Sequence, residues 1–263
     1  GWDDYFAKTG NNKSAFAIIA HPQILSFSIP SLWNSFNPEY ATTPRTLELI
    51  HGVEILNERD SSNMVNERAY SLFLDCGYKV APIGASDHHG PRWGRIAERC
   101  RTFVYSEGHS KDYFIDALRN ARAYCCENGN VKLFYTVNGQ NPATTLPLTD
   151  TYEFQITAEP FYMHRNDDDT DYIEVISDHG MVVASREVGR FEFTFDLTVK
   201  SKTARYFYLK LYSKTGDITW SAPVFTGRPY DAYPKKPFTK TALNDESFKL
   251  KAWSGGIKRG DIL

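Results

Sequence analysis

Residues 79–90 read Lys79-Val80-Ala81-Pro82-Ile83-Gly84-Ala85-Ser86-Asp87-His88-His89-Gly90, an apolar run that breaks into a polar, histidine-rich stop. The run from Lys79 to Ser86 predicts a buried strand. In extended backbone residues two apart share a side, so Asp87 and His89 project together while His88 points away. A carboxylate beside an imidazole makes the edge of a metal site suited to zinc, manganese or iron. The bland alternative is a turn in which Asp87 caps the next segment and the histidines are merely exposed.

Working outward, a second strand ends the same way. Ala15 to Ala20 (AFAIIA) is a continuous apolar run stopped by His21-Pro22. Between the two runs, Thr43-Pro44 opens a helix with threonine as N-cap and proline at the first helical position. Gly52 to Asn57 (GVEILN) is a further strand, and Ser61 or Ser62 caps a helix that runs to about Asp75 and stops at Gly77. Thr102 to Tyr105 and a helix from Ser110 to Ala121 follow. Strands separated by helices imply parallel βα units. Parallel strands present their C-terminal ends on one face, so His21 and the Asp87–His89 pair are expected to converge there.

After Tyr124 the pattern changes. Val131–Val137, Tyr152–Thr157, Tyr172–Ser177, Met181–Ala184, Phe191–Leu197 and Tyr206–Tyr212 are short strand-like runs separated by Gly, Pro, Asn and Asp clusters, as in an antiparallel sandwich. Asp178-His179-Gly180 reads as a hairpin turn. Beyond Gly227 the chain turns to proline and lysine, an extended tail.

The order Ala20-His21-Pro22, Gly52-Val53-Glu54-Ile55-Leu56-Asn57, Pro82 to Gly90, Arg101 to Tyr105 and Ala117 to Arg122 resembles that of PHP-domain metallohydrolases. It is most similar to their CehA/McbA-type branch, which attaches a β-sandwich. Val137-Asn138-Gly139 and Trp220 to Val224 resemble that sandwich. The resemblance implies α/β plus all-β architecture: a partial, distorted (β/α)7 barrel over 1–127, a β-sandwich over 128–227 and a tail over 228–263. It also implies divalent metal ions (Zn, Mn or Fe) and hydrolysis of a small-molecule phosphoester or related ester. His21, Asp87 and His89 match ligand positions, and Glu54, Asn57, His88 and Arg92 are candidates for substrate contacts or for support behind the ligands. The family's first His-x-His motif is absent from this chain. The expectation is therefore a fragment of a longer polypeptide with an incomplete metal site, in which a missing N-terminal segment or self-association covers the open barrel edge.

Composition excludes other classes. The 263 residues carry 30 Lys+Arg against 32 Asp+Glu, a formal charge of −2 with no basic stripe, which argues against a nucleic-acid partner. No apolar run approaches the roughly 18–20 residues that span a bilayer. Gly1-Trp2-Asp3-Asp4 is neither a charged leader nor an initiator methionine, and reads as a processed chain, consistent with a soluble protein exported after loss of an N-terminal segment. Cys76, Cys100, Cys125 and Cys126 show no CxxC spacing and read as buried thiols. Asp167, Asp169 and Asp171 alternate, but Tyr172 stands where a calcium loop needs glycine. The rival to an enzyme is a binding or accessory protein whose sandwich recognises a partner or glycan while the α/β portion is only scaffold.

Overall fold

A computed structural model of the chain describes residues 15–22, 36, 38–57, 63–87, 100–162 and 169–230. These all lie in a unit spanning Gly1–Tyr233; a second unit, Pro234–Leu263, lies outside them. The expected tail therefore falls almost wholly beyond the described residues.

Three sheets are stacked. The first is parallel, in the order β1 (Ala17–Ile19), β2 (Ile50–Asn57), β3 (Ala81–Ala85). The second is antiparallel and central: β4 (Arg101–Val104), β5 (Ala123–Cys126), β12 (Ile218–Trp220), β11 (Tyr206–Ser213), β8 (Thr170–Ser177) and β9 (Met181–Arg190), with β13 (Val224–Phe225) also paired to β11. The third is the antiparallel set β10 (Phe193–Lys200), β7 (Thr151–Pro160), β6 (Val131–Val137).

The partial (β/α)7 barrel expected from the resemblance is not what forms. Among the described residues three strands pair in parallel, and the architecture is dominated by antiparallel sheet. The reason lies between β4 and β5. They are separated by a helix, α4 (Lys111–Arg119), which on sequence reads as a parallel crossover. Yet Val104 pairs with Ala123, and the Tyr105 amide donates to the Arg122 carbonyl at 2.9 Å, so β4 and β5 are an antiparallel pair whose loop happens to contain a helix. Ser110 caps that helix, and Ala121 turns the chain back at φ 55°. Through β5 and β12 the pair joins the same sheet as β11 and β8, so this sheet runs across the expected boundary at residue 127.

Strand alternation divides the central sheet between two cores. On β11, Phe207, Leu209 and Leu211 face the outer sheet, packing with Tyr152, Phe154 and Ile156 of β7 and with Leu133 and Tyr135 of β6. Tyr206 and Tyr208 face the other way, into a core with Ile50, Val53 and Ile55 of β2 and Tyr70, Phe73 and Leu74 of α3 (Asn63–Asp75). On β5, Cys126 and Cys125 likewise face opposite cores, as adjacent residues of a strand do. Cys100, Cys125 and Cys126 are buried free thiols and Cys76 is partly buried. Trp220 is buried in the inner core and not presented to a ligand.

The remaining helices are short. α1 (Pro38–Ala41) is one turn, and α2 (Pro44–Leu49) begins with Thr43 accepting from the Thr46 amide while the Thr46 side chain accepts from Thr43, a reciprocal cap of the kind worth about 1 kcal/mol. His51 lies within β2. The Asp178–Gly180 hairpin turn forms as read, with His179 and Gly180 at φ 61° and 69°. Asp169 pairs with Lys214 at 2.6 Å, an ordinary surface ion pair; Asp167 lies outside the described residues. Among the described residues no helix is long and apolar enough to cross a membrane.

Candidate functional site at the ends of the parallel strands

The parallel register sets the geometry. Ile19 of β1 pairs with Val53, and Ala85 of β3 pairs with Asn57, so the residues just after β1 and β3 emerge on either side of the end of β2. Those residues are His21 and Asp87. Both have left-handed backbone, φ 48° and 45°, a conformation costing a non-glycine residue about 1 kcal/mol or more. Two such residues flanking one strand end mark a place where the fold accepts local strain.

The turn at His21 aims its backbone N–H at Glu54 Oε2, 2.6 Å away. Glu54 Oε2 is also 3.3 Å from His21 Nδ1, and the Asn57 side-chain amide is 2.7 Å from the same nitrogen. The opposite ring nitrogen, Nε2, faces Asp87 Oδ1 at 3.6 Å. Glu54 is the one carboxylate in an otherwise apolar strand and is only 3% exposed. Burial pushes its pKa up, and the nearby Asp87 pushes the same way; the His21 amide and ring and the Asn57 side chain oppose the shift. His21 and Asp87 are about one-third exposed, so the cluster is buried at Glu54 and open to solvent at the Nε2–Asp87 edge.

The arrangement separates two roles on one imidazole. The Asn57 atom that meets Nδ1 is its amide nitrogen, a donor, so the two contacts on Nδ1 favour opposite tautomers: a proton on Nδ1 directed at Glu54 Oε2 leaves the Nε2 lone pair beside Asp87 Oδ1, whereas acceptance from Asn57 places the ring proton on Nε2, toward Asp87. A carboxylate behind a histidine fixes its tautomer and ring orientation, as behind metal-ligating histidines. Two donors each about 2.0–2.2 Å from one tetrahedral ion stand about 3.3–3.6 Å apart, so His21 Nε2 and Asp87 Oδ1 have the separation of a ligand pair. Among the described residues no group of three His, Cys, Asp or Glu side chains is placed to hold an ion. The donor set therefore fits two ligands.

Of the residues singled out on sequence, His21, Glu54, Asn57 and Asp87 are brought together. His88, His89 and Arg92 lie outside the described residues. Glu54, expected on sequence to contact substrate or to support the ligands, is placed against the His21 amide and ring; the signal was a lone acid inside GVEIL. The left-handed backbone of His21 and Asp87 has no sequence signal. No family model matches the chain, and no curated protein matches it.

Supporting contacts hold β3 in place. Thr102 of β4 bridges Gly84, its hydroxyl accepting from the amide at 2.9 Å and donating to the carbonyl at 2.8 Å. A Cβ at Gly84 would stand 3.1 Å from the Arg101 carbonyl and 3.2 Å from Cys125 Cβ, so glycine lets β3 approach the central sheet three residues before Asp87.

Proposed function

We propose that the His21–Glu54–Asn57–Asp87 cluster is the described part of a metal-dependent hydrolytic site acting on a phosphoester or a related small ester. The observation that carries this reading is the 3.6 Å approach of His21 Nε2 to Asp87 Oδ1 with Glu54 and Asn57 behind Nδ1. His21 and Asp87 are the ligands, and a divalent ion held there supplies an activated water and stabilises a developing oxyanion. In the tautomer that takes an ion, Glu54 accepts the Nδ1 proton and Nε2 turns its lone pair outward, which requires the Asn57 amide to rotate so that its oxygen and not its nitrogen faces Nδ1. Asn57 fixes the ring plane from the other side. Convergence on solvent supports this reading over one in which the α/β layer is only scaffold, because a purely structural histidine gains nothing from two strained backbone positions.

The test is ion binding and turnover measured separately. Zn²⁺ or Mn²⁺ at about 100 times its Kd should stabilise the protein by about 2.7 kcal/mol. His21→Ala and Asp87→Ala should abolish that rise and the metal-dependent hydrolysis of nitrophenyl phosphate monoesters, diesters and carboxylic esters. Equal metal-induced stabilisation in both variants, or a wild-type chain that neither binds an ion nor hydrolyses any of these esters, overturns the assignment.

A further inference from the structure

The outer sheet carries a second surface, remote in sequence from the strand-end cluster. The outward row on its three strands is Phe134 of β6, Thr157 of β7 and Thr194 of β10, directly paired in register. Beside it lies the row Lys132–Glu159, an ion pair at 3.0 Å. A cleft of about 370 Å³ opens at the β7 and β10 end of these rows, lined by Thr157, Glu159, Arg190, Glu192 and Thr194, with Phe134 and Lys132 beside it on β6. Phe134 is 52% exposed, an aromatic ring at the end of a row of hydroxyls where alternation alone would place a polar side chain.

From this geometry we infer that the face of β6, β7 and β10 binds a neutral oligosaccharide across the strands. The cleft lining carries Arg190 against Glu159 and Glu192, and Lys132 on the neighbouring strand β6 pairs with Glu159, so the face as a whole is formally balanced and offers no net field to attract a phosphate, a nucleic acid or a cation. It is also too polar for an apolar peptide. What it does present is a ring face for the C–H surface of a sugar, and groups that recognise hydroxyls. Thr157 and Thr194, already bonded to each other at 3.0 Å, each both donate and accept; Glu159 and Glu192 accept, and Arg190 donates. Three strands span about 10 Å, which sets the length of the binding face. Cross-strand pairing holds the Thr157–Thr194 and Lys132–Glu159 side chains in place before a ligand arrives, which limits the ordering cost of binding.

The experiment is an amide-resonance titration of the full chain with cellohexaose, xylohexaose, mannohexaose and chitohexaose. At least one should shift the amides of 132–134, 157–159 and 194. Phe134→Ala, an exposed position whose loss should leave thermal unfolding unchanged, should weaken that binding about tenfold, and Glu192→Gln, a near-isosteric change, should weaken it as well. His21→Ala should bind the saccharide as the wild type does, since the two sites are independent. The inference is overturned if no member of the panel shifts these amides at about 10 mM, if shifts map to another face, or if both Phe134→Ala and Glu192→Gln retain full affinity.

Discussion

The two faces of β11 show how one strand serves two interfaces by different physics. Toward the outer sheet it offers Phe207, Leu209 and Leu211, and the contact is dry: Phe207 packs at 4.7 Å from the Tyr152 ring and edge-on to Phe154 at 5.6 Å. Toward α3 it offers Tyr206, Tyr208 and Lys210, and the contact is a ladder of polar pairs inside a buried layer. The Tyr206 hydroxyl donates to Asp75 Oδ1 at 3.2 Å, Tyr208 meets Ser71 at 3.2 Å and Glu67 at 3.2 Å, and Lys210 pairs with Glu67 at 2.6 Å. The partners on α3 are spaced by four and those on β11 by two. Four helical residues advance about 6 Å and two strand residues about 6.8 Å, so the repeats keep step over three pairs. The apolar face tolerates any side chain of suitable volume, whereas the polar ladder permits one register of helix on sheet.

The lower rung is reinforced by Arg205. Its guanidinium pairs with Asp178 and lies 3.4 Å from Asp75, while the His179 amide and Nδ1 meet Asp75 at 3.0 and 3.1 Å. Burial pushes the Asp75 carboxyl up, and these donors oppose the shift. Burial likewise raises the Tyr206 and Tyr208 phenols well above their ordinary range, so they stay protonated as donors.

The largest effect that would break this contrast is on the dry face. Phe207→Ala removes a fully buried ring and should lower unfolding free energy by about 3–5 kcal/mol in denaturant titration; a loss under 1 kcal/mol would mean the sheets collapse onto one another. On the polar face, Lys210→Met leaves Glu67 with its charge in a mostly buried layer and should cost about 3 kcal/mol. Adding Glu67→Met should then recover most of that loss, because the pair removed together leaves no orphan charge. If the double variant is no better than Lys210→Met alone, the pair contributes net stability and not only register. Ser71→Ala, which removes one hydroxyl beside Tyr208, should cost about 1 kcal/mol.

The smallest effect concerns pH at the strand-end cluster. Glu54 has a raised pKa, so the folded chain holds its proton more tightly than the unfolded chain does. Its contribution to stability is therefore present below the ordinary value of 4.5 and lost as pH rises through the folded pKa. Glu54→Gln cannot ionise and should not show that loss, so the difference in stability between variant and wild type should shift in the variant's favour as pH rises above 4.5. A difference independent of pH would show that His21 and Asn57 fully compensate the buried charge.

The sequence carried the elements well wherever local pattern decides them. Val131–Val137 was read at its observed bounds, and alternation in Tyr206–Tyr212 and the cap at Thr43 marked the strand and helix that form. It also marked His21 and Asp87 as ends of apolar strands, and these two strands flank the end of β2. The short strands Ile218–Trp220 and Val224–Phe225 were missed, because two or three residues are too few to show a period.

What the sequence by itself determined is most of the longer strands and helices, the placing of a histidine and an aspartate at two strand ends, and the balanced charge. Only the tertiary structure decided that β4 turns back on β5, that their sheet serves both cores, and that the described strands form stacked sheets dominated by antiparallel pairing. Periodicity and capping are properties of a few neighbouring residues, whereas strand direction depends on pairings tens of residues apart, such as Tyr105 with Arg122 and Trp220 with Cys125. The role of Glu54 was decided the same way: a lone acid in an apolar strand is visible in the sequence, but the histidine that turns back to meet it lies 33 residues earlier.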